Sequence, residues 1–597
     1  MIAVLTLGLS LQPAPALDRL DFTVAGGDER LERVVRAASL LLQQQADGQT
    51  DAEDLFAAAR SDYGRILGAL YASGHYSAVI RITLDGREAS AIAPLDAPAR
   101  VGTIRVQVDP GPVFTFSRTS VSPLAPGTDP ATDLPSGFRP GETAAAGLIK
   151  DAADAAVLGW REAGHAKARI SREDILADHR ARTLSADLRL APGPALRFGP
   201  VSVTGAERME VRRILKIAGL REGEAFSQSE LDRALTRLRR TGVFSTVTLT
   251  ESDRILPGDL LPIEIAVAEQ RPRRYSVGAE LASVDGLSLT GSWMHRNLRG
   301  GAERLRVDGA ITNIGSGNSG IDYELGITID RPATLTPDTT AGFNFTIGHL
   351  DEVDYSANYA STGLNLTHYF SDQLTGRAGF AYSFVDGSDP DGDFRYRSLS
   401  LPLGATWDRR DSTTDARRGF YIDADAKPFL GFGSTGSGLR LTFDTRGYRS
   451  FGEADRLTIA ARIQGGAILG SDLFETPRDD LFYSGGGGTV RGQPYRSLGV
   501  QMSRGGSDFL IGGTHMLAAS VELRGRITES IGFVGFVDAG SIGAEGFFDD
   551  LGDWHAGAGL GLRYETGFGP IRFDVAAPVG GDTGDGVQIY IGLGQAF

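Results

Sequence analysis

The chain reads as two architectures in series: a tandem of small α+β modules, each ordered β-α-α-β-β, followed by an antiparallel transmembrane β-barrel of about 16 strands. Three observations predict this. A glycine that ends a helix and leads into a strand recurs three times in the first 270 residues. Helical periodicity stops after Arg271-Pro272-Arg273. Beyond that point, short segments alternate apolar residues with polar residues or glycine. Such alternation suits a wall that faces lipid on one side and a polar lumen on the other.

Composition bounds the reading. Glycine is 79 of 597 residues, yet 41% of residues are hydrophobic and no collagen period occurs, which argues against disorder. After the N-terminus no apolar run is long enough for a membrane-spanning helix, an absence that says nothing against spanning strands. With no cysteine there is no disulfide framework and no thiolate metal site. The net charge of −15 leaves no basic footprint, so nucleic acid is not an expected partner.

Residues 1–16 read as an export signal. Ile2 to Leu11 is apolar and Ala14-Pro15-Ala16 fits a small-residue cleavage site. The missing positive n-region points to a misassigned start codon. Three modules follow, at 17–110, 111–195 and 196–270, with Gly74, Gly164 and Gly242 as their helix stops. The third is the clearest. Ser227-Gln228-Ser229-Glu230 forms a capping box, Phe226 and Leu231 a hydrophobic staple, and Leu231, Leu235 and Leu238 share one helical face. The first module carries its own capping box at Thr50 to Glu53, and the second a Pro/Gly/Asp loop from Pro123 to Pro140.

For 271–597, strands of roughly 9–11 residues plus their turns give about 16 strands. An even number returns both barrel ends to one side. The final strand is expected over Gly586 to Phe597, with Val587, Ile589, Ile591, Leu593 and Phe597 on one face and Gln588, Tyr590, Gly592 and Gly594 on the other. The first is expected over Tyr275 to Val284. The most particular stretch is Gly485 to Gly499, where four glycines precede Val490-Arg491-Gly492. Glycine permits positive φ and close backbone approach, so this loop is built to fold back and plant one cation inside something. Strand parity supplies the destination, because Glu522 and Asp538 both point into the lumen. A guanidinium fork suits two carboxylates.

That loop resembles the VRG(Y/F) loop of the BamA/TamA outer-membrane assembly superfamily. Gln493 stands at the usual aromatic position, with Tyr495 a candidate to replace it. The string from Val203-Thr204-Gly205 through Gly242-Val243-Phe244 to Glu269 resembles a POTRA domain. Tyr590 to Phe597 resembles the terminal β-signal of outer-membrane barrels. The resemblance implies an outer-membrane protein with periplasmic POTRA domains, no cofactor and no enzymatic activity. Its function would be to insert or secrete β-barrel proteins, autotransporters among them, through a lateral seam. Val277 on the first strand and Ile591, Gly592 and Gly594 on the last would form that seam. Implied partners are nascent barrel clients, outer-membrane lipid and a TamB-like inner-membrane-anchored protein bound through the POTRA domains. Three modules favour a TamA-like reading over a BamA-type general assembly protein or a two-partner secretion transporter. A passive pore is the alternative of a different class.

Other apparent motifs dissolve in context. Gly431 to Gly436 fits G-x-G-x-x-G, but a strand pattern follows instead of the helix a dinucleotide site needs. Asp389, Asp391 and Asp393 lack the glycine and distal glutamate of a calcium loop. The eight histidines show no zinc-site spacing, and no nucleophile elbow occurs.

Overall fold

The computed structural model describes residues 17–597 apart from 49–50, 283–285, 316–319, 353–354, 390–391, 453–454, 505–506, 529, 549–552, 568 and 585. The expected export signal, Thr50, Val284 and Asp391 lie outside the described residues. The chain divides into two compact units. One comprises Met1–Pro200, Arg221–Asp232 and Glu251–Ile263; the other comprises Val201–Leu220, Arg233–Thr250 and Glu264–Phe597.

In the first module Arg19–Val24 pairs in parallel with Thr103–Asp109, which pairs antiparallel with Val79–Leu84. Three helices cover this sheet where two were expected: Glu29–Ala38, Leu40–Ala46 and Ala52–Ala72. Buried Asp62 accounts for the extra one. Its carboxylate accepts from Ser39 Oγ at 2.5 Å and from the Leu40 N–H at 2.7 Å, so a new helix starts directly where the first stops. The long helix begins at Asp51, whose carboxylate accepts from the N–H groups of Glu53 and Asp54. Its stripe of Leu55, Ala59, Ile66 and Leu70 packs on Ile82, Ile104 and Val106.

The second module orders its strands Thr115–Ser122, Thr183–Ala191, Arg169–Asp178 under the helix Ala146–Glu162. The third orders them Arg197–Thr204, Leu260–Glu269, Phe244–Glu251, with helices Val211–Ala218 and Gln228–Arg240. Gly74, Gly164 and Gly242 all have positive φ, the conformation a helix stop requires. Ser227 Oγ accepts from the Glu230 N–H, as a cap should, and Glu162 adds a second cap by accepting from the Ser229 N–H at 2.7 Å.

In the second unit one antiparallel sheet of seventeen segments runs in chain order from Arg273–Ala282 to Gln588–Leu593. Gly392–Ser400 and Leu403–Asp408 both pair with Leu374–Asp389 and with Gly419–Gly431. They are one strand interrupted at Leu401-Pro402, where proline has no N–H to donate. Among the described residues that leaves sixteen staves, the number the chain length predicts. Outward residues such as Val521, Leu523, Phe533, Leu560 and Ile571 are exposed apolar groups, whereas Glu522, Phe536 and Asp538 face in and are buried.

Connections between staves alternate between two sides. On one side lie the turns held by helices of the third module. Arg237 forks onto Asp338, with Nε to Oδ1 and Nη2 to Oδ2 both 2.7 Å. Arg213 donates to the carbonyls of Gly301 and Pro332, and the Arg240 guanidinium lies 3.8 Å from the Tyr369 ring centroid.

The last strand corrects its expected length. It stops at Leu593 because Gly594 takes φ +86° and turns the chain. The Gly594 N–H then donates to Pro570 O, and the Gln595 N–H to Thr414 O. Phe597, expected on the outward face with Val587 and Ile591, is instead buried against Ala416, Tyr448 and Ala460.

A loop clasp inside the sheet

The connection between Leu457–Leu469 and His515–Arg526 is the sixth on the side away from those turns, and it carries the glycine-rich stretch. Gly485, Gly486 and Gly492 have positive φ. At Gly485 a Cβ would lie 2.1 Å from Pro494 O, so the fold-back demands glycine there. The turn brings Val490 and Arg491 into full burial.

Arg491 makes four contacts with the two predicted acids. Nε and Nη2 reach Asp538 Oδ2 and Oδ1 at 2.7 and 2.9 Å, the Arg491 N–H donates to Asp538 Oδ2 at 3.0 Å, and Nη1 reaches Glu522 Oε1 at 2.6 Å. Its guanidinium lies 3.6 Å from the Phe536 ring centroid, on the strand that carries Asp538. Exposure is 3% for Arg491, 0% for Glu522 and 1% for Asp538, so the charges are sealed from water. There, removing one partner strands buried charge.

Strand alternation puts Arg524, Arg563 and Asp574 on the lumen face, but sequence reading did not join them to the clasp. Arg524 bonds the other Glu522 oxygen at 2.7 Å, Asp574 lies 3.6 Å from Arg491 Nη1, and Arg563 bonds Asp574 at 2.5 Å. Three guanidinia thus share three carboxylates, so no member is left with a lone charge. The signal for them was the same one that located Glu522 and Asp538. Asp574 and Arg563 have inward parity on neighbouring strands.

The loop is also held through its backbone and by neutral side chains. The Gly492 N–H donates to Tyr590 Oη at 3.0 Å, which ties the loop to the final strand. Gln493 is fully buried and donates to the carbonyls of Ala556 and Gly580, while Thr583 donates to its side-chain oxygen. Gln493 therefore fills the position expected of an aromatic, and Tyr495, 70% exposed, does not replace it. His555 joins Ser484 Oγ to Thr583 Oγ1 at 2.8 Å each. On the stave next to His515–Arg526, Arg462 and Gln464 both donate to Gly488 O at 3.0 Å.

The wall is shaped to take this loop. A Cβ at Gly557 would sit 1.9 Å from Arg491 O, one at Gly540 would sit 2.6 Å from Ser484 Oγ, and one at Gly492 would sit 2.6 Å from Ala577 O. Gly557 and Gly492 let two main chains approach more closely than any other residue allows, and Gly540 makes room for the Ser484 and Val490 side chains.

The remaining expected site residues lie at the two ends of the sheet. Val277 and Ile591 are 89% and 74% exposed. Among the described residues no ladder joins their strands. Gly592 faces inward beside Arg572, where a Cβ would lie 2.8 Å from Arg572 Nε. Asp389 pairs with Arg478 at 2.6 Å. The glycine-rich turn at 431–436 leads into the strand Gly438–Phe451.

Comparison with known proteins gives this arrangement a context. Residues 196–270 match a family described as "POTRA: Surface antigen variable number repeat", and residues 297–597 match the "Omp85 superfamily domain". A curated relative, "Outer membrane protein assembly factor BamA" of Nitratidesulfovibrio vulgaris, is 24% identical over 66% of this chain. The chain spans about half of that relative's length, 51%. Among solved structures, BamA from Haemophilus ducreyi lacking POTRA domains 1–3 superposes with a TM-score of 0.58 at 16% identity, covering 80% of this chain and 98% of that one. CdiB from Acinetobacter baumannii gives 0.49 at 14% identity, covering 79% and 87%. With a family match over half its length, a sixteen-stave sheet and a POTRA domain before it, the chain belongs to the Omp85 superfamily of outer-membrane proteins with periplasmic POTRA domains.

Proposed function

We propose that this protein assembles other β-barrel proteins into the outer membrane by templating their strands at the seam between Arg273–Ala282 and Gln588–Leu593. The observation that carries this reading is the state of those two strands. Among the described residues each pairs with one neighbour, and each presents a large apolar residue, Val277 or Ile591, beside an edge with no ladder. An open edge offers main-chain donors and acceptors to an incoming strand. The loop clasp supports assembly over a bare pore, because its arginine and backbone bonds tie one element to the successive staves from Leu457–Leu469 to Gln588–Leu593.

Within the family, one reading is a TamA-like factor with autotransporter clients and a TamB-like partner at the N-terminal domains. The curated relative's name favours a general barrel-assembly factor. Envelope co-purification and depletion separate the two: an inner-membrane-anchored partner with loss of autotransporters alone supports the first, and loss of outer-membrane barrels in general supports the second.

The chain lacks cysteine, so a Val277→Cys, Ile591→Cys variant can be locked cleanly with a bifunctional thiol reagent. Locked protein is expected to lose client insertion, and a cleavable reagent to restore it on release. Equal insertion by locked and free protein would remove the seam from the mechanism.

A further inference from the structure

On the outward face of the first staves, an apolar groove of about 590 Å³ runs across the strands Gly286–His295, Arg304–Ile314, Asp322–Arg331 and Thr339–Asp351. Register explains its shape. Gly291 and Gly309 are cross-strand partners with no side chains, and their row continues through Leu325 and Ile347. Ideal Cβ atoms at these two glycines would meet nothing closer than 4.0 Å, so the groove is open space over the sheet. The row above it ends in Tyr323, His349 and Asn358, also cross-strand partners in turn.

Position in the strand separates the rows. The polar row is the nearer to the loop ends of the staves, the ends opposite the turns held by Arg213 and Arg237. The glycine-leucine-isoleucine row is deeper. A polar rim over an apolar floor matches the order of headgroup and acyl chain in one leaflet. The rim is also organised. His349 stacks on Tyr323 with centroids 5.2 Å apart, and its Nδ1–H donates to Asn358 Oδ1 at 3.0 Å. That bond turns the Asn358 amide nitrogen, a double donor, away from His349. The exposed Tyr323 hydroxyl supplies a further donor.

We propose that this groove binds one acyl chain of a lipid in the loop-side leaflet, with its phosphate-bearing headgroup accepting hydrogen bonds from Tyr323 and Asn358. The site lies beside the first seam strand, Arg273–Ala282, which pairs directly with Gly286–His295. One stave, Arg273–Ala282, separates a lipid seated there from the seam.

The test uses the full chain in nanodiscs containing phosphatidylethanolamine with a photoactivatable acyl chain. Crosslinks are expected to concentrate on 287–295, 304–314 and 322–331 relative to the outward wall at Val521, Leu523 and Phe533. Gly291→Leu with Gly309→Leu, for which the space is open, should reduce groove labelling about tenfold, the worth of roughly two methylene contacts. Heat-modifiable gel mobility reports whether the barrel has folded. If that variant does not fold, Tyr323→Phe with Asn358→Ala decides by the same loss. Even labelling of both walls, or labelling that either folded variant leaves unchanged, would mean annular lipid only and would overturn the site.

Discussion

Arg491 is placed by more bonds than a guanidinium needs for neutralisation alone. Four contacts to two carboxylates and a ring face fix its orientation as well as its charge. Arg491→Ala is expected to destabilise the barrel by about 3–5 kcal/mol, since Glu522 and Asp538 would remain buried with a partner missing. Arg491→Lys keeps the charge but not the fork, and should recover only part of that loss. Denaturant unfolding in detergent, read by gel mobility, measures both. Glu269 makes a second prediction at this scale. Burial pushes its carboxyl up, but the N–H groups of Met209, Arg208 and Glu207 all donate to it and bring it below the ordinary glutamate range. A depressed folded pKa adds stability that is complete above the unfolded value and lost as pH falls through the folded one. Exchange protection of the 207–209 amides should therefore fade on acidification, and Glu269→Gln should flatten that dependence.

At the scale of elements, the loop and its wall are one fitted pair. Gly557→Ala is expected to unseat the 470–514 connection, because its methyl would overlap Arg491 O, and Gly540→Ala should do so more weakly against a movable serine side chain. Limited proteolysis within 470–514 reports the change. Gly291→Ala, which points into open space, should leave the digest as it was. The same contrast marks what the sequence could reveal. Parity located Glu522 and Asp538 because strand alternation has a period of two, and it put Asp574 and Arg563 on the same face without showing that they join the clasp. Parity failed at Phe597, where alternation continues in the sequence but Gly594 leaves the extended region. It was also silent on Gln493, whose buried amide is satisfied by carbonyls that no sequence pattern displays.

For the second unit as a whole, the ion pair between Arg237 and Asp338 joins a helix of the third module to a barrel turn. A double-mutant cycle on this pair should show a coupling of about 0.5–3 kcal/mol, whereas pairing Arg237→Ala with a distant wall change such as Val521→Ala should be additive. The architecture at this scale was legible because length, alternation and glycine helix stops are global signals. The third helix of the first module was not, because it depends on Asp62 capping a chain segment more than twenty residues away.

The glycines facing Arg491 have one more consequence. A surface cut to receive a single polypeptide backbone keeps that outline when its tenant departs. Withdrawing the 470–514 segment would uncover bare Cα atoms at 540 and 557 on neighbouring staves, with the Asp538 carboxylate and the His555 ring beside them.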